Sequence, residues 1–375
     1  MAIRELLVSS CWQMKVLEPT KQQQTRSLRP MGKIMNASRA MAMWESIRVL
    51  KRAFGEQQTI VREVHRLAAE IIRSPAGTPS PFTVDLDPAP GPLLTFRRNL
   101  FSTLFQSTYH VLEVAPERRQ LYGSINYLFR IWVTSADNLL DQEDKVTLPI
   151  RMPGQSRVMR QVVTIMAADR ILERLLNAAV GDGQITKEEA AVLSESSLQV
   201  LLPSAAQEAT EEGGITDRPR PEYVLDTLHR LKTGMLFHLP FLGPDRIERG
   251  LDQLKLAALK DGLMAFGLGC QILDDIRDMA RDHRERRHNY ILSSLQWSAD
   301  PYLRVLDSRK PEVEERLHAD IPHVVRPAAR LAMAHLCSGL AAMSREGLDI
   351  GNSAVNTMAS VLFDSLDLED LKYAL

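Results

Sequence analysis

The sequence predicts an all-α protein, and three observations lead to this class. Apolar residues recur every three or four positions, as at Trp44, Ile47, Leu50 and Phe54, which is the period of one helix face. No run of alternating apolar and polar residues is long enough to form a half-buried strand. The glycine-rich loops and nucleophile turns of α/β proteins do not occur, and the nine histidines form no zinc pattern.

The domain organisation follows from changes in composition along the chain. Residues 1–40 mix basic residues with glutamine, serine and methionine, and they predict a loosely ordered basic leader. Residues 41–375 carry the helical pattern and are expected to form a single domain. Within it, residues 203–221 hold three prolines and two adjacent glycines and predict a mobile surface loop. Thr186 and Glu189 have the spacing of a capping box that opens a helix.

Overall composition limits the possible functions. Forty-five per cent hydrophobic residues and a formal net charge of −1 describe a soluble globular protein and give no reason to expect a nucleic-acid partner. The widely spaced Cys11, Cys270 and Cys337 predict free thiols in a reducing compartment, and we therefore expect a cytoplasmic protein. No uninterrupted apolar run reaches about 18 residues, so no transmembrane segment is expected.

An acidic cluster in residues 261–282 is the strongest functional signal. This stretch contains no proline and predicts one continuous helix, on which Asp274, Asp278 and Asp282 share a face and Asp275 lies beside them. Acids at this spacing repel one another by a few tenths of a kcal/mol per pair, and they are therefore expected to bind a cation. Mg²⁺ suits them because it takes carboxylate oxygens together with phosphate and water. The alternative is a solvated acidic face with arginines nearby.

The residues before these acids favour a binding site. Met264, Leu268 and Gln271 lie on or next to the same face, so the face changes from apolar to acidic along its length. This pattern predicts the wall of a deep apolar pocket that is charged at its mouth.

Two further stretches are weak signals when taken alone. Asp137, Asp141 and Asp144 fall at i, i+4 and i+7 on one helical face, but helices often end in polar residues. Lys232 precedes Thr233 in a predicted helix and is a candidate phosphate ligand, although a surface lysine is the simpler interpretation of that segment.

In combination, the three stretches resemble a known family. Residues 271–278, which read Gln-Ile-Leu-Asp-Asp-Ile-Arg-Asp, are similar to the second aspartate-rich motif of the class I trans-isoprenyl diphosphate synthases. The Lys-Thr-Gly run at 232–234 resembles the diphosphate-contacting motif of that family, and residues 137–141 occupy the place of its first aspartate-rich motif. The order and spacing cover roughly residues 93–300.

The departures from the family pattern distinguish between its branches. Asn138 replaces the second aspartate of the first motif, and residues 145–149 replace an arginine pair. The region that binds isopentenyl diphosphate in chain-elongating members keeps Arg97 and Arg98 but lacks the glycine and the lysine. This pattern resembles terpene synthases, which ionise one prenyl diphosphate and cyclise or quench the carbocation. A prenyltransferase that uses isopentenyl diphosphate or another acceptor is the alternative, and a non-catalytic helical partner of a synthase is the third possibility.

The resemblance implies a single large antiparallel helical bundle around a deep apolar pocket, a homodimer, a prenyl diphosphate substrate and three Mg²⁺ ions bound with the diphosphate. It implies that the catalytic acids are Asp137, Asp141, Asp274, Asp275 and Asp278. The implied metal ligands are Asp137, Asp141, Asp144, Asp274 and Asp278. The implied substrate contacts are Arg98, Lys232, Thr233, Gln271, Arg277, Arg286 and Arg287. Apolar and aromatic side chains would shield the carbocation, and the candidates are Phe129, Trp132, Phe237, Met264, Phe266 and Leu268.

Overall fold

The computed structural model describes residues 42–44, 47–88, 91–141, 143–309, 312 and 316–374. The main helices, in chain order, are α1 (Arg48–Ile71), α2 (Leu100–Val111), α3 (Pro116–Leu140), α4 (Arg157–Gly181), α5 (Lys187–Gln199) and α6 (Leu202–Ala209). The next is α7, which starts at Pro221–Tyr223, passes through two π-helical segments, Val224–Leu228 and Arg230–Gly234, and ends with Met235–His238. The remaining helices are α8 (Leu242–Arg246), α9 (Gln253–Arg277), α10 (Met279–Glu285), α11 (Tyr290–Trp297), α12 (Tyr302–Arg309), α13 (Pro322–Met343) and α14 (Asn352–Ser365).

The predicted all-α class is confirmed. The strands in the described residues are β1 (Asp85–Leu86) and β2 (Ile150–Arg151), which form a two-residue antiparallel pair. Buried side chains from Trp44 to Leu371 form one hydrophobic core. The basic leader predicted for residues 1–40 lies outside the described residues.

The centre of the molecule is the antiparallel pair α9 and α13. A Cβ atom at Gly269 would lie 2.8 Å from the carbonyl oxygen of Ala332, and one at Gly339 would lie 2.5 Å from the carbonyl oxygen of Gly262. Only glycine allows the two backbones to approach this closely. Close packing against α13 therefore holds α9, the helix that carries the second acidic cluster, and this packing fixes the position of its acidic end.

Helix α9 also meets the length and composition criteria for a membrane-spanning helix, and it is the one helix of the described residues that does so. Two thirds of its most apolar window is buried inside the protein (67%). A buried core helix meets the same criteria, so this observation is weak evidence for a membrane segment.

Helix α3 positions the first acidic cluster. The Nε1 of Trp132 donates to the carbonyl oxygen of Ile165 on α4 at 3.2 Å, and Tyr127 lies 3.3 Å from His65 on α1. These buried polar contacts fix the rotation of α3, and they leave its carboxyl end, Asp137 to Leu140, beside the loop that leads to β2.

Two local predictions were wrong. The helix expected over 261–282 is interrupted at Asp278 (φ −91°, ψ 12°), where α9 ends and α10 begins. The bonds from Asp278 N to Asp274 O at 2.8 Å and from Asp282 N to Asp278 O at 2.9 Å nevertheless bridge the interruption. The loop expected over 203–221 begins as helix α6, because Pro203 lies in its first turn, where a missing N–H costs nothing. The capping box of Thr186 and Glu189 is confirmed at the start of α5.

Candidate functional site

The carboxyl end of α3 carries Asp137 and Asp141 on one side of the candidate site. Asp137 is buried, and Asp141 is the C-terminal cap of the helix, with its N–H bonded to the carbonyl oxygen of Asp137 at 2.8 Å. Burial raises the pKa of Asp141, and the nearby Glu285 adds to this effect, whereas Arg281 and Arg287 offset it only in part. A buried carboxylate that is costly to ionise is a group that a cation stabilises.

Asn138 has a structural role that the sequence did not indicate. Its Nδ2 donates to the carbonyl oxygen of Lys145 at 2.8 Å, and its Oδ1 accepts from the N–H of Lys145 at 3.1 Å. The amide therefore closes the loop after α3 with two hydrogen bonds, and an aspartate could make only one of them. These two hydrogen bonds are a physical reason for an asparagine at position 138, where the family motif has its second aspartate.

The acids that follow Asn138 are ion-paired. Asp144, a predicted metal ligand, is exposed and contacts Arg160 on α4. Glu143 contacts Lys145, and its Oε1 lies 3.5 Å from Nη1 of Arg281 on α10. This last contact joins the loop after the first acidic cluster to the helix after the second one.

The second acidic cluster is neutralised in part by its own arginine. Arg277 donates to both oxygens of Asp278, from Nε at 2.6 Å and from Nη2 at 2.8 Å, and its Nη2 lies 3.3 Å from Asp274. Both carboxylates are buried. The guanidinium therefore holds the two acids within reach of one cation.

Asp275 makes contacts of a different kind. His229 Nε2 donates to its Oδ2 at 2.8 Å, the Tyr290 N–H donates to the same oxygen at 2.6 Å, and Gln271 Nε2 donates to its Oδ1 at 2.9 Å. Burial alone would raise the pKa of Asp275, but His229 and these donors outweigh it and lower the pKa. Asp275 therefore ties α9 to α7 and α11 as a fully bonded carboxylate.

The residues after the interruption at Asp278 complete this buried network. Asn289 Nδ2 donates to the carbonyl oxygen of Asp275 at 2.8 Å and to Asp282 Oδ2 at 2.8 Å. Burial next to other acids raises the pKa of Asp282 well above its usual range. Asn289 also caps α11 through its Oδ1, which accepts from the N–H groups of Ile291 and Leu292. This asparagine thus connects the loop after α10 to α9.

The Lys-Thr pair lies in the second π-helical segment of α7, and π segments often occur at functional sites. Thr233 Oγ1 donates to Gln271 Oε1 at 2.5 Å, which links α7 to the acids of α9. Lys232 is buried, and its Nζ lies 2.9 Å from Glu208 Oε1 and 3.7 Å from Glu211 Oε1. The predicted phosphate-binding lysine is therefore ion-paired with two carboxylates on α6 and the turn that follows it.

The two arginines after α10 differ in their contacts. Arg286 has a left-handed backbone (φ 57°), and its Nε and Nη2 donate to the carbonyl oxygen of Ile215 at 2.9 and 2.6 Å. Arg287 lies 3.8 Å from Glu208 and 3.6 Å from Glu285. Arg286 therefore fastens the loop after α6, whereas Arg287 belongs to the same ionic cluster as Lys232.

These elements meet at a cleft of about 590 Å³, which we name the polar cleft. It is lined by Leu140, Asp141, Glu143, Glu212, Gly213, Gly214, Arg281, Glu285, Arg286 and Arg287. The structure thus brings the end of the first acidic cluster and the arginines after the second cluster to one cleft, whereas Lys232, Asp274 and Asp278 do not line it.

An apolar groove of about 870 Å³ lies one turn further back along α3. Its lining residues come from α3 to α6 and from α7, and they include Trp132, Val133, Ala136, Ile165, Met166, Leu172, Leu198, Leu201, Leu202, Ser204, Ala205 and Leu236. Ser204 Oγ also donates to the carbonyl oxygen of Lys232 at 3.2 Å. The apolar groove therefore begins beside Asp137 and Lys232. A ligand with a charged head group and an apolar tail would place the head group near these two residues and the tail in the groove.

Most of the predicted apolar liners pack elsewhere. Phe237 and Phe266 contact each other and Phe101 in an aromatic cluster. Met264 fills the space next to Gly234, and the apolar part of α9 packs against α13 instead of lining the groove. Of the six candidates, Trp132 lines the apolar groove.

Arg98 belongs to a separate basic pair with Arg130, which the sequence analysis missed. Arg130 Nη1 donates to Asn99 Oδ1 at 3.1 Å, and its guanidinium lies 5.8 Å from the Tyr127 ring. In the described part of the chain, neither guanidinium pairs with a carboxylate. Burial lowers the pKa of Arg98, and it lowers the pKa of Arg130 to about 10.

Two of these acids at a time, and not a larger group, fit a magnesium site. Among the described residues, no group of three or more histidine, cysteine or acidic side chains is placed to hold a metal ion. Mg²⁺ needs only one or two carboxylates when phosphate and water supply its other ligands. Asp274 and Asp278, which one guanidinium already bridges, meet that need. Asp144 is engaged with Arg160, and Asp275 accepts three hydrogen bonds.

Comparison with known proteins finds similarity only at the level of structure, and the neighbour described below is distant. No protein-family model matches the chain, and no curated protein matches it in sequence. A polyprenyl synthase from Caulobacter crescentus CB15, whose crystal structure holds calcium and isoprenyl diphosphate, aligns with 87% of this chain and 97% of its own. The sequence identity is 15% and the TM-score is 0.46.

Proposed function

We propose that the protein is a magnesium-dependent class I terpene synthase that ionises one prenyl diphosphate and cyclises or quenches the carbocation. The observation that carries this proposal is that the loop after the first acidic cluster meets the helix after the second one, with Glu143 Oε1 at 3.5 Å from Arg281 Nη1, at a cleft that Asp141, Arg286 and Arg287 also line. The cleft joins an acid of the first cluster to arginines that follow the second cluster, and this combination of charges suits a diphosphate bound with a metal ion.

Each group has a defined role in this proposal. Asp137, Asp141, Asp274 and Asp278 would hold Mg²⁺, which supplies positive charge to the departing diphosphate. Lys232 and Arg287 donate N–H groups toward that charge, and Thr233 and Gln271 position α7 against α9. The groove receives the hydrocarbon chain and excludes water from the carbocation, with the face of Trp132 available to stabilise it.

A chain-elongating prenyltransferase is the second candidate, and the basic pair of Arg98 and Arg130 favours it. Two buried guanidinium groups without a carboxylate partner in the described residues are suited to bind an anion, such as a second diphosphate. We also propose a cytoplasmic homodimer: the widely spaced cysteines support a reducing compartment, and the family resemblance supports the homodimer.

The two candidates give different products in one assay. The purified protein is incubated with Mg²⁺ and geranyl, farnesyl or geranylgeranyl diphosphate, each with and without isopentenyl diphosphate. A hydrocarbon or alcohol formed from a single diphosphate supports the terpene synthase. Longer diphosphates that appear only with isopentenyl diphosphate support the prenyltransferase. If the wild-type protein releases no diphosphate from any substrate while retaining its helical circular dichroism spectrum, both candidates are wrong.

A further inference from the structure

The helix α6 and the turn after it carry two carboxylates that neither acidic motif includes. Glu208 and Glu211 are buried, Glu211 completely, and both face Lys232. Glu208 also lies 3.8 Å from Arg287. The two cations best placed to bind a diphosphate therefore share one carboxylate as their counter-ion.

The remaining contacts keep these carboxylates in place. Glu211 accepts from the side chain of Gln207 and, at 3.0 Å, from the N–H of His288. Burial would raise the pKa of Glu211, but Lys232, Gln207 and His288 together outweigh it and lower the pKa, so the carboxylate is charged at neutral pH. A diphosphate that approaches Lys232 thus meets negative charge that is already bonded to the same ammonium group.

We propose that Glu208 and Glu211 form a counter-ion clamp that competes with diphosphate for Lys232 and Arg287 and thereby sets the affinity of the site for its anionic substrate. The inference rests on the proposed function, since it assigns Lys232 and Arg287 to diphosphate. Glu208 and Glu211 are positioning residues, because they act through the two cations and do not touch the reacting atoms.

The position of α6 couples the clamp to the hydrocarbon part of the site. Ser204 and Ala205 of the same helix line the apolar groove, and Ser204 donates to the carbonyl oxygen of Lys232. A hydrocarbon chain that enters the groove would therefore contact α6, the helix that carries Glu208, and would displace it. The site gains affinity for diphosphate when the ion pairs between Lys232 and the two glutamates separate. Only the fraction of molecules with separated ion pairs binds diphosphate through Lys232.

The test measures binding of inorganic pyrophosphate with Mg²⁺ by isothermal titration calorimetry on the full chain. Glu208→Gln removes the charge next to Lys232 and keeps the shape of the side chain. Glu211→Gln is the second variant, in case the first one fails to fold, and circular dichroism verifies the fold of each. Glu188→Gln is the matched control, because Glu188 is an exposed acid on α5 that lines neither the polar cleft nor the apolar groove.

We expect Glu208→Gln to bind pyrophosphate at least tenfold more tightly than wild type, and Glu188→Gln to change the affinity less than twofold. An unchanged or weaker affinity in a folded Glu208→Gln or Glu211→Gln variant would overturn the clamp, as would an equal gain in the control. Pyrophosphate binding does not depend on turnover. A wild-type protein that binds pyrophosphate but releases none from prenyl diphosphates would therefore refute the proposed function alone.

Discussion

Replacing Lys232 by methionine should destabilise the folded protein, because it leaves Glu208 and Glu211 buried without their ammonium partner. The lysine lies 2.9 Å from one carboxylate and 3.7 Å from the other, and all three side chains are less than a tenth exposed. Removing one member of a buried ion pair costs about 3–5 kcal/mol, since the remaining charge is uncompensated. We expect a loss of about this size at neutral pH.

The loss should depend on pH with a definite sign. In the wild type, Lys232 lowers the pKa of Glu211, so the stability from this contact is present above the unfolded pKa and is lost as the pH falls through the folded pKa. In the methionine variant, burial dominates and raises the pKa of Glu211. The difference between the two proteins should therefore be largest at neutral pH and should shrink as the pH falls toward about 4, the range in which unfolded glutamate is protonated.

Urea unfolding followed by far-ultraviolet circular dichroism at pH 7 and pH 5 measures this difference. Lys260→Met is the matched control, because Lys260 pairs with Asp245 at the surface, at 2.7 Å, where an ion pair contributes about 0–1 kcal/mol. If Lys232→Met is as stable as the control at pH 7, the ammonium is not held by the two carboxylates and the reasoning fails.

Three further predictions concern the site itself. Asp274→Ala and Asp278→Ala should each abolish magnesium-dependent diphosphate release while the circular dichroism spectrum stays helical, and retained turnover in both would contradict the site assignment. Asn138→Asp should lower stability by about 1–3 kcal/mol in thermal unfolding, because a carboxylate would face the carbonyl oxygen of Lys145 that the amide now bonds at 2.8 Å; unchanged stability would count against a structural role. Arg98→Ala should reduce condensation with isopentenyl diphosphate at least tenfold and cyclisation less than threefold, as measured by product analysis, and equal losses would exclude a separate second-diphosphate site.

The helical class and the shared helix face of Asp274 and Asp278 could be predicted from the sequence, because both depend on short-range periodicity. Asp274 and Asp278 are four residues apart, so any helix places them together. The Gln271 contact with Thr233 and the Asp275 contact with His229 join segments about 40 residues apart, and no local pattern indicates them. Long-range partners of this kind decide whether an acid is a ligand or a structural group.

The contacts of Glu208 and Glu211 with Lys232 could not be predicted for a different reason. Pro203 and the glycines at 213–214 are typical of a loop and predict one here. A proline in the first turn, however, also favours the start of a helix. Once α6 is recognised as a helix, Glu208 belongs to its last turn and Glu211 follows it by three residues. Their role still depends on Lys232 more than twenty residues later, which sequence spacing alone does not reveal.

The pairing of charges in the site bears on its need for a metal ion. Arg277 is bonded to Asp278, Lys232 to Glu208, and Arg286 to a backbone carbonyl oxygen. A diphosphate that bound to these groups alone would have to displace carboxylates, leaving buried negative charges beside its own. Divalent cations that arrive with the diphosphate remove this conflict, because they bind the carboxylates and the phosphate oxygens together. The internal pairing of the cations therefore supports the proposed dependence on Mg²⁺, and weakening the proposed clamp should reduce the amount of Mg²⁺ that pyrophosphate binding requires.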